Sequence, residues 1–503
     1  MGIKSAAAFL ASLITGGLAG AKPSALLTDA YKWAMVQAGF PLRRETFVLS
    51  FRKGGPLYVP CDLSEVIRGF CPRMPDAKET GFLVANGYGP TPAMLQALGG
   101  DLDIWTAPKG SLVYPGEPVA VITGPSFLVS WLEPLVIMLH FPLQVAAAML
   151  NGKRSFIACC DDEAAIIQFV ADCLGIDDVK IPLDQGYAGR VARIVRGLWK
   201  ELDGLDRAFE VGMRAATCMQ QHRIALVECR KQGLNKTSNV KLAYDLYMIP
   251  VGTTGHEHQQ RWGNDYDGYR AVRDTRPEPP SYLFDTFDPI NKGIPAAIEV
   301  MSEKDVHRRC TVRFDDFPAL EQHLTMFVKA EGKSETRPNY IFEDGYNLTK
   351  TRFTEDLCTK LGVAKSRTGY GYGGAIVSAA SLSPYGRNAV AAVYKLSMTG
   401  TRPVMKFSGH PSKQSIPGKP CILRRSKGYS LDRQHIQWES LIAQQGETVE
   451  WFRPIQAGDR VDPNQIGYSP ATQHIIWQCQ MNTFGEAPES GAVPYSSLDH
   501  KED

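Results

Sequence analysis

Residues 251–263 read VGTTGHEHQQRWG, and His256, Glu257 and His258 within them are types that bind metals, move protons or accept a phosphoryl group. The stretch nearly spells the zinc-protease pattern, in which two histidines four residues apart hold the metal and the glutamate between them acts as base. Gln260 stands where the second ligand belongs. His256 and His258, two apart, share a face only on a strand, and zinc would still need a third protein ligand from elsewhere. The sequence therefore assigns no direct protein ligand to a metal.

Acids recur downstream at a shared position. Three of four β-rich runs end on them: Asp285 and Asp288, then Asp315 and Asp316, then Glu343 and Asp344. Acids after strands often only cap the next helix. Three consecutive instances level with His256 point instead to one site, because strand C-terminal ends line the active site of βα barrels. Between Leu357 and Leu431 there is no Asp or Glu but twelve Lys/Arg, and this stretch holds GYGYGG at 369–374. Glycines let backbone N–H groups approach an anion closely, so the combination reads as a phosphate site. GYGYGG also fits the dinucleotide fingerprint, but the ribose-binding acid about 20 residues later is missing. No Walker A sequence occurs. Acids facing a basic, glycine-rich cradle suit a magnesium-bound polyphosphate or sugar phosphate, with His256 beside a phosphoryl group as base or acceptor.

The elements that must position these residues follow from periodicity. Residues 40–150 alternate short β-rich runs with Gly/Pro turns and close on the apolar run SFLVSWLEPLVIMLHF. From about 155, helices such as EAAIIQFVADCLG and GYAGRVARIVRGLWKEL show apolar residues at helical spacing. After 240 the runs LYMIPVGTTG, SYLFDTFD, RCTVRFDD and NYIFEDG read as buried strands with helices between them. Such alternation predicts parallel βα units, in an open sheet or a barrel.

Composition bounds the rest. With 503 residues, 55 basic and 53 acidic side chains, 44% hydrophobic and 21% charged, the chain is ordinary globular material with no global attraction to nucleic acid or membrane. Eleven cysteines without a CxxC pair suggest neither zinc knuckle nor disulfide framework and fit a reducing cytosol. The N-terminal SAAAFLASLITGGLAGA has the outline of a short signal peptide or of an Ala/Leu helix packed on the body. It is read as a helical extension over 1–25. No other stretch reads as long enough in apolar residues to span a bilayer.

Taken in order, LLTDAYKWAMVQAGF (26–40), FRKGG (51–55), PKGSLVYPGEPVAVITGP (108–125), GTTGHEH (252–258), FDTFD (284–288), GYGYGG and VYKLSMTGTRPVMKFSGHPSKQSIPG (393–418) resemble the nicotinate phosphoribosyltransferase family. The resemblance covers most of residues 26–420. It implies an α/β chain: an irregular βα barrel (151–390) with an additional β-rich domain built from the N-terminal segment (26–150) and a C-terminal one (391–503). It implies transfer of phosphoribose from phosphoribosyl pyrophosphate to nicotinate, with Mg2+ as cofactor, ATP as co-substrate, and a cytoplasmic homodimer whose active sites are shared.

Residue by residue, the resemblance makes His256 the phosphoryl acceptor and places Asp285 and Asp315 near the pyrophosphate and ribose. Tyr31 matches a tyrosine that stacks on the pyridine from the neighbouring subunit, and Arg214 an arginine facing base and phosphates. Arg52 and Lys53 match phosphate-binding residues donated in trans, and Gly373 and Gly374 the 5′-phosphate cradle. Arg313 is retained from the family's arginine–acid motif, and Asp344 matches an acid holding ribose hydroxyls. Ser238 stands where nicotinamide-specific relatives carry an aspartate, which favours a carboxylate substrate. Three departures stand out: RFDDFPAL replaces the usual loop after Arg313, Ala215 replaces a second arginine, and Glu257 replaces a serine. A carboxylate at 257 is expected to raise the pKa of His256 or orient its ring, and to repel a triphosphate unless magnesium neutralises it. The alternatives are a nicotinamide phosphoribosyltransferase and a non-catalytic phosphosugar-binding relative.

Overall fold

The computed structural model of the chain describes residues 3–275, 280–303, 310–331, 338–407, 414–429, 436–449, 452–456, 459 and 466–484. Residues 408–413 of the quoted 393–418 stretch, and the end of the expected C-terminal segment beyond 484, lie outside them.

Seven short strands form one all-parallel sheet. Around it run Ile249–Pro250, Lys236–Thr237, Ala208–Glu210, Thr368–Tyr372, Asn339–Phe342, Thr311–Phe314 and Ser281–Leu283. Because Thr368–Tyr372 pairs with Ala208–Glu210, chain order is followed around a ring that, among the described residues, lacks a ladder only between Pro250 and Ser281. There the Thr254 hydroxyl donates to the Ser281 carbonyl at 3.1 Å. This is the irregular βα barrel. Three of its strands carry no strong sequence signal, since Ala208–Glu210 and Lys236–Thr237 are two or three residues long and Thr368–Tyr372 is read as a glycine loop.

The Gly-Tyr-Gly-Tyr alternation is a strand signature in disguise. Tyr370 and Tyr372 point outward, their hydroxyls reaching Glu355 at 2.5 Å and Thr351 at 2.9 Å on the helix Leu348–Lys360. The glycines therefore face the lumen. A Cβ on Gly371 would lie 2.8 Å from Cγ of Glu343 and 2.9 Å from the Phe209 ring, so glycine keeps the barrel interior open. The interior is a cavity of about 780 Å³.

A five-stranded antiparallel sheet joins the two ends of the chain. Arg44–Ser50 lies between Pro118–Pro125 and Val393–Thr399, so Val48 faces Val121 on one side and Lys395 on the other. A separate small sheet, built on Pro420–Tyr429 and Ile436–Gln444, is pinned to it by the wholly buried pair Arg424–Glu117 at 2.8 Å.

The helix Ile3–Thr15 packs on Leu63–Gly69 and Asp161–Leu174, with Ala7, Leu10, Ala11 and Ile14 buried. The segment is a structural helix of this fold. Leu10→Ala should lower unfolding free energy by about 3 kcal/mol, read as a shift of the urea midpoint at constant slope. One further correction concerns apolar length. Glu133–Leu150 is long and apolar enough to cross a membrane, yet 83% of it is buried inside the protein, where it is part of the main core.

Candidate active site

The barrel's C-terminal strand ends open into a cleft of about 980 Å³. The helix His256–Trp262 starts at its edge and is stopped by Gly263 in the left-handed conformation (φ 88°). Gly252 brings the preceding loop there. A Cβ on it would stand 2.4 Å from the Tyr31 backbone nitrogen, so only glycine permits the GTTG loop to cross the helix Ala30–Gln37. Arg261 then ties the His256 helix to the five-stranded sheet through Glu45, at 2.9 and 3.0 Å.

His256 is buried, and burial first, then the Lys406 ammonium, pushes its pKa down to about 4. It is therefore neutral at neutral pH. Lys406 Nζ lies 2.7 Å from Nε2, closer than Asp315 at 3.3 Å, and ammonium has only donors to offer. Nε2 thus accepts, and Nδ1–H donates to the Thr286 hydroxyl at 3.1 Å. An unprotonated imidazole nitrogen is the form that acts as a nucleophile toward phosphoryl groups.

Where the sequence alone assigns no metal ligand, the structure gathers His256, Asp285 and Asp315, with ligand atoms all within 4.8 Å of one another. Oδ1 of Asp285 is buried without a hydrogen-bond partner. Burial would raise Asp315, but Arg313 above all, with Lys406, holds it well below the usual carboxylate range. Two such carboxylates suit a hard cation such as Mg2+.

The other forecast residues divide. Tyr31, Arg52, Arg214, Arg313, Asp344, Gly373 and Gly374 line the cleft. Ser238 lines the barrel cavity instead, and Lys53 is exposed and lines neither. Arg313 is committed internally, donating to the Thr254 carbonyl at 2.6 Å and pairing with Asp315 at 3.2 Å and Glu343 at 2.8 Å. Asp344 sits at φ 79° and accepts from the Phe317 N–H at 3.1 Å, so it caps the altered RFDDFPAL loop.

The surroundings of Tyr31, Arg52, Glu257 and Ser238 are set by the packing of distant segments. Tyr31 and Arg52 reach the cleft from within the same chain: the Tyr31 ring lies beside Arg214, 5.5 Å from its guanidinium carbon, and the Arg52 backbone N–H donates to the Val390 carbonyl at 3.0 Å. Glu257 turns away from His256 and is held by Lys32, both carboxylate oxygens 3.0 Å from Nζ, and by the Ser130 hydroxyl. It stays on the cleft wall with its charge already shared, and it is not among the groups that shift His256. Ser238, finally, stands beside a carboxylate, its hydroxyl donating to Asp29 at 2.6 Å.

Residues that sequence reasoning misses complete the site. Lys395, Lys406 and Arg387 line the cleft beside Arg52. The acid-free stretch holds the signal, and only the sheet register shows that Lys395 points inward. Glu133, which accepts from Tyr31 at 2.5 Å and pairs with Arg214 at 3.2 Å, is the lone acid in an apolar run. Burial, then the nearby Lys406, Arg52 and Arg214, lowers Lys395 to about 7 despite Glu133. A bound anion favours its protonated form, so pyrophosphate affinity should weaken as pH rises above 7, by up to about tenfold per unit. Calorimetry from pH 6 to 9 checks this, and Lys395→Met should flatten the profile.

No protein-family model matches the chain. Among curated proteins it is 22% identical to the nicotinate phosphoribosyltransferase of Bos taurus over 427 residues, covering 81% of this chain and 78% of that one. It is 28% identical to the one from Bacillus subtilis (strain 168) over 253 residues, 47% and 46% of the respective chains. Solved structures of nicotinate phosphoribosyltransferases share the fold: that from Porphyromonas gingivalis has TM-score 0.55 at 18% identity over 78% of this chain and 95% of that one. The Vibrio cholerae enzyme has TM-score 0.55 at 17% identity over 80% and 92%. By shared sequence along most of its length, and by a fold that agrees with it, the chain is similar to nicotinate phosphoribosyltransferases.

Proposed function

We propose that this protein transfers the phosphoribosyl group of phosphoribosyl pyrophosphate to nicotinate, giving nicotinate mononucleotide and pyrophosphate, as a step of pyridine nucleotide salvage. The observation that carries the reading is one cleft that combines an aromatic–guanidinium pocket (Tyr31, Arg214) with a cation cluster (Lys395, Lys406, Arg52, Arg387) and a glycine strand end. Such a cleft suits a flat base at one end and phosphates at the other.

The transfer needs little covalent help from the protein. As pyrophosphate leaves the anomeric carbon, negative charge grows on it, and fixed ammonium and guanidinium groups stabilise that charge without reorganising. Tyr31 and Arg214 hold the ring nitrogen in line on the opposite side. Asp285 and Asp315 would hold Mg2+, which supplies charge neutralisation at the pyrophosphate. Coupling to ATP belongs to the same reading: Nε2 of neutral His256 bonds to the γ-phosphorus of ATP as the bond from that phosphorus to the bridging oxygen breaks and ADP leaves, and Lys406 remains beside the product phosphohistidine to offset its charge. A cytosolic setting agrees with eleven cysteines that form no disulfide.

The test measures mononucleotide formation from nicotinate and phosphoribosyl pyrophosphate with Mg2+, with and without ATP, for wild type and His256→Ala. Turnover stimulated by ATP in wild type alone supports both parts. Turnover without stimulation leaves transfer and removes the role of His256; no turnover with phosphosugar binding intact favours a non-catalytic relative.

A further inference from the structure

The sequence resemblance ends near residue 420, yet the chain beyond it supports the phosphoryl-acceptor end of the cleft. Lys406 Nζ lies 2.7 Å from Nε2 of His256 and 3.6 Å from Oδ2 of Asp285. Its backbone is irregular, because residues 404–407 follow the short strand Arg402–Pro403 without joining a strand or helix. What fixes it comes from later in the chain. The Lys406 N–H donates to the Ser415 hydroxyl at 2.8 Å, and its neighbours Met405 and Phe407 are buried in a small core distinct from the main one. Tyr468 of the strand Ile466–Tyr468 and Ile476 of the helix Pro470–Phe484 complete that core. Phe287 packs against it too, directly after Thr286, whose hydroxyl accepts from Nδ1–H of His256. The end of the same helix is tied to this loop, since the Lys292 ammonium donates to the Thr483 carbonyl.

One small core therefore stands behind a group on each imidazole nitrogen, Lys406 at Nε2 and Thr286 at Nδ1. A side chain carried on irregular backbone is placed only as well as its flanks are packed. A reacting geometry displaced by about 1 Å can lose about 10²-fold in rate. We infer that the C-terminal strands and helix are the support of the phosphoryl-acceptor site, and that Ile476 is a positioning residue. Through the core it shares with Met405, Phe407 and Phe287, it sets Lys406 and Thr286 around the ring. This rests on His256 as the phosphoryl acceptor.

The experiment follows acid-labile, alkali-stable label on the protein after mixing with γ-labelled ATP and Mg2+, and pyrophosphate affinity by calorimetry, for wild type, Ile476→Ala, Ile476→Val and Leu10→Ala. Ile476→Ala leaves a cavity behind Lys406, so labelling should slow at least about tenfold and pyrophosphate should bind at least about threefold more weakly. Ile476→Val deletes one methyl group and should stay within about threefold of wild type in both. Leu10→Ala truncates the main core away from Lys406, and its labelling should also stay within about threefold. Equal losses in Ile476→Ala and Leu10→Ala, or no loss in either, overturn the inference and leave His256 as acceptor. Wild type that takes no label overturns the His256 reading; an unchanged pyrophosphate affinity in Ile476→Ala then overturns the positioning as well. A last measurement needs no variant. If the small core sets Lys406 for an anion, an anion held by Lys406 stabilises the core in return. Amide exchange over 470–484 in wild type should therefore slow when pyrophosphate and Mg2+ are added, and unchanged exchange there overturns the inference.

Discussion

Changing Asp315 to asparagine should lower phosphoribosyl transfer by about 10²- to 10³-fold while moving the thermal midpoint by only a few degrees. The carboxylate sits just past the strand Thr311–Phe314, 3.3 Å from Nε2 of His256 and 3.2 Å from Arg313. Its strongly depressed pKa keeps it an anion at any working pH. Asparagine keeps the shape and loses that charge, and with it one of the two acids that hold the cation at the departing pyrophosphate. Folding should survive because Arg313 retains Glu343 at 2.8 Å and the Thr254 carbonyl at 2.6 Å. The decisive comparison is kcat for the unstimulated reaction against pyrophosphate affinity measured separately. A change below about threefold in both would remove Asp315 from the machinery and shift attention to Asp285.

Much of this site is legible in the sequence because the chemistry sits on strand ends. Acids after SYLFDTFD, RCTVRFDD and NYIFEDG repeat at one position of successive βα units, and a barrel carries those ends to one face, so the residues alone group Asp285, Asp315 and Asp344. His256 is legible by motif. The strand role of GYGYGG is hidden because glycine and tyrosine at period two read as a loop, although the tyrosines are packed on a helix and the glycines open the lumen.

What stays illegible are pairings across long sequence separation. Nothing near Glu257 says that Lys32, 225 residues earlier, neutralises it, and nothing near Ser238 says that Asp29, 209 residues away, shares its proton. A local reading assigns each charge its effect as if it faced solvent or substrate. Buried charges are instead set by whichever element packs on them. The placement of Tyr31 and Arg52 within their own chain's cleft is hidden for the same reason: where the N-terminal segment docks is a tertiary fact, carried here by the backbone bonds of Ala30 and Val240 with Ser238 and Thr28.

The Lys32–Glu257 pair gives the second large effect. Lys32 is 1% exposed, and its ammonium bridges Glu257 and Glu133, the latter also holding Tyr31 and Arg214. Methionine fills nearly the same space without charge, so Lys32→Met leaves two buried carboxylates undercompensated and should cost about 3–5 kcal/mol of unfolding free energy. Adding Glu257→Gln removes one of those charges, while the Ser130 hydroxyl and the Arg261 guanidinium can still donate to the amide oxygen that replaces the carboxylate. The double variant should therefore recover about 1–3 kcal/mol rather than lose more. That non-additivity, read from urea midpoints of the two single variants and the double, separates charge compensation from simple packing. If Lys32→Met and Glu257→Gln add within about 0.5 kcal/mol, the pair is not coupled. Coupling would mean that the glutamate standing where relatives carry serine is tolerated because a lysine on the helix Ala30–Gln37 balances it. The same lysine would then hold Glu133 under Tyr31, linking the stability of the fold to the geometry of the base pocket.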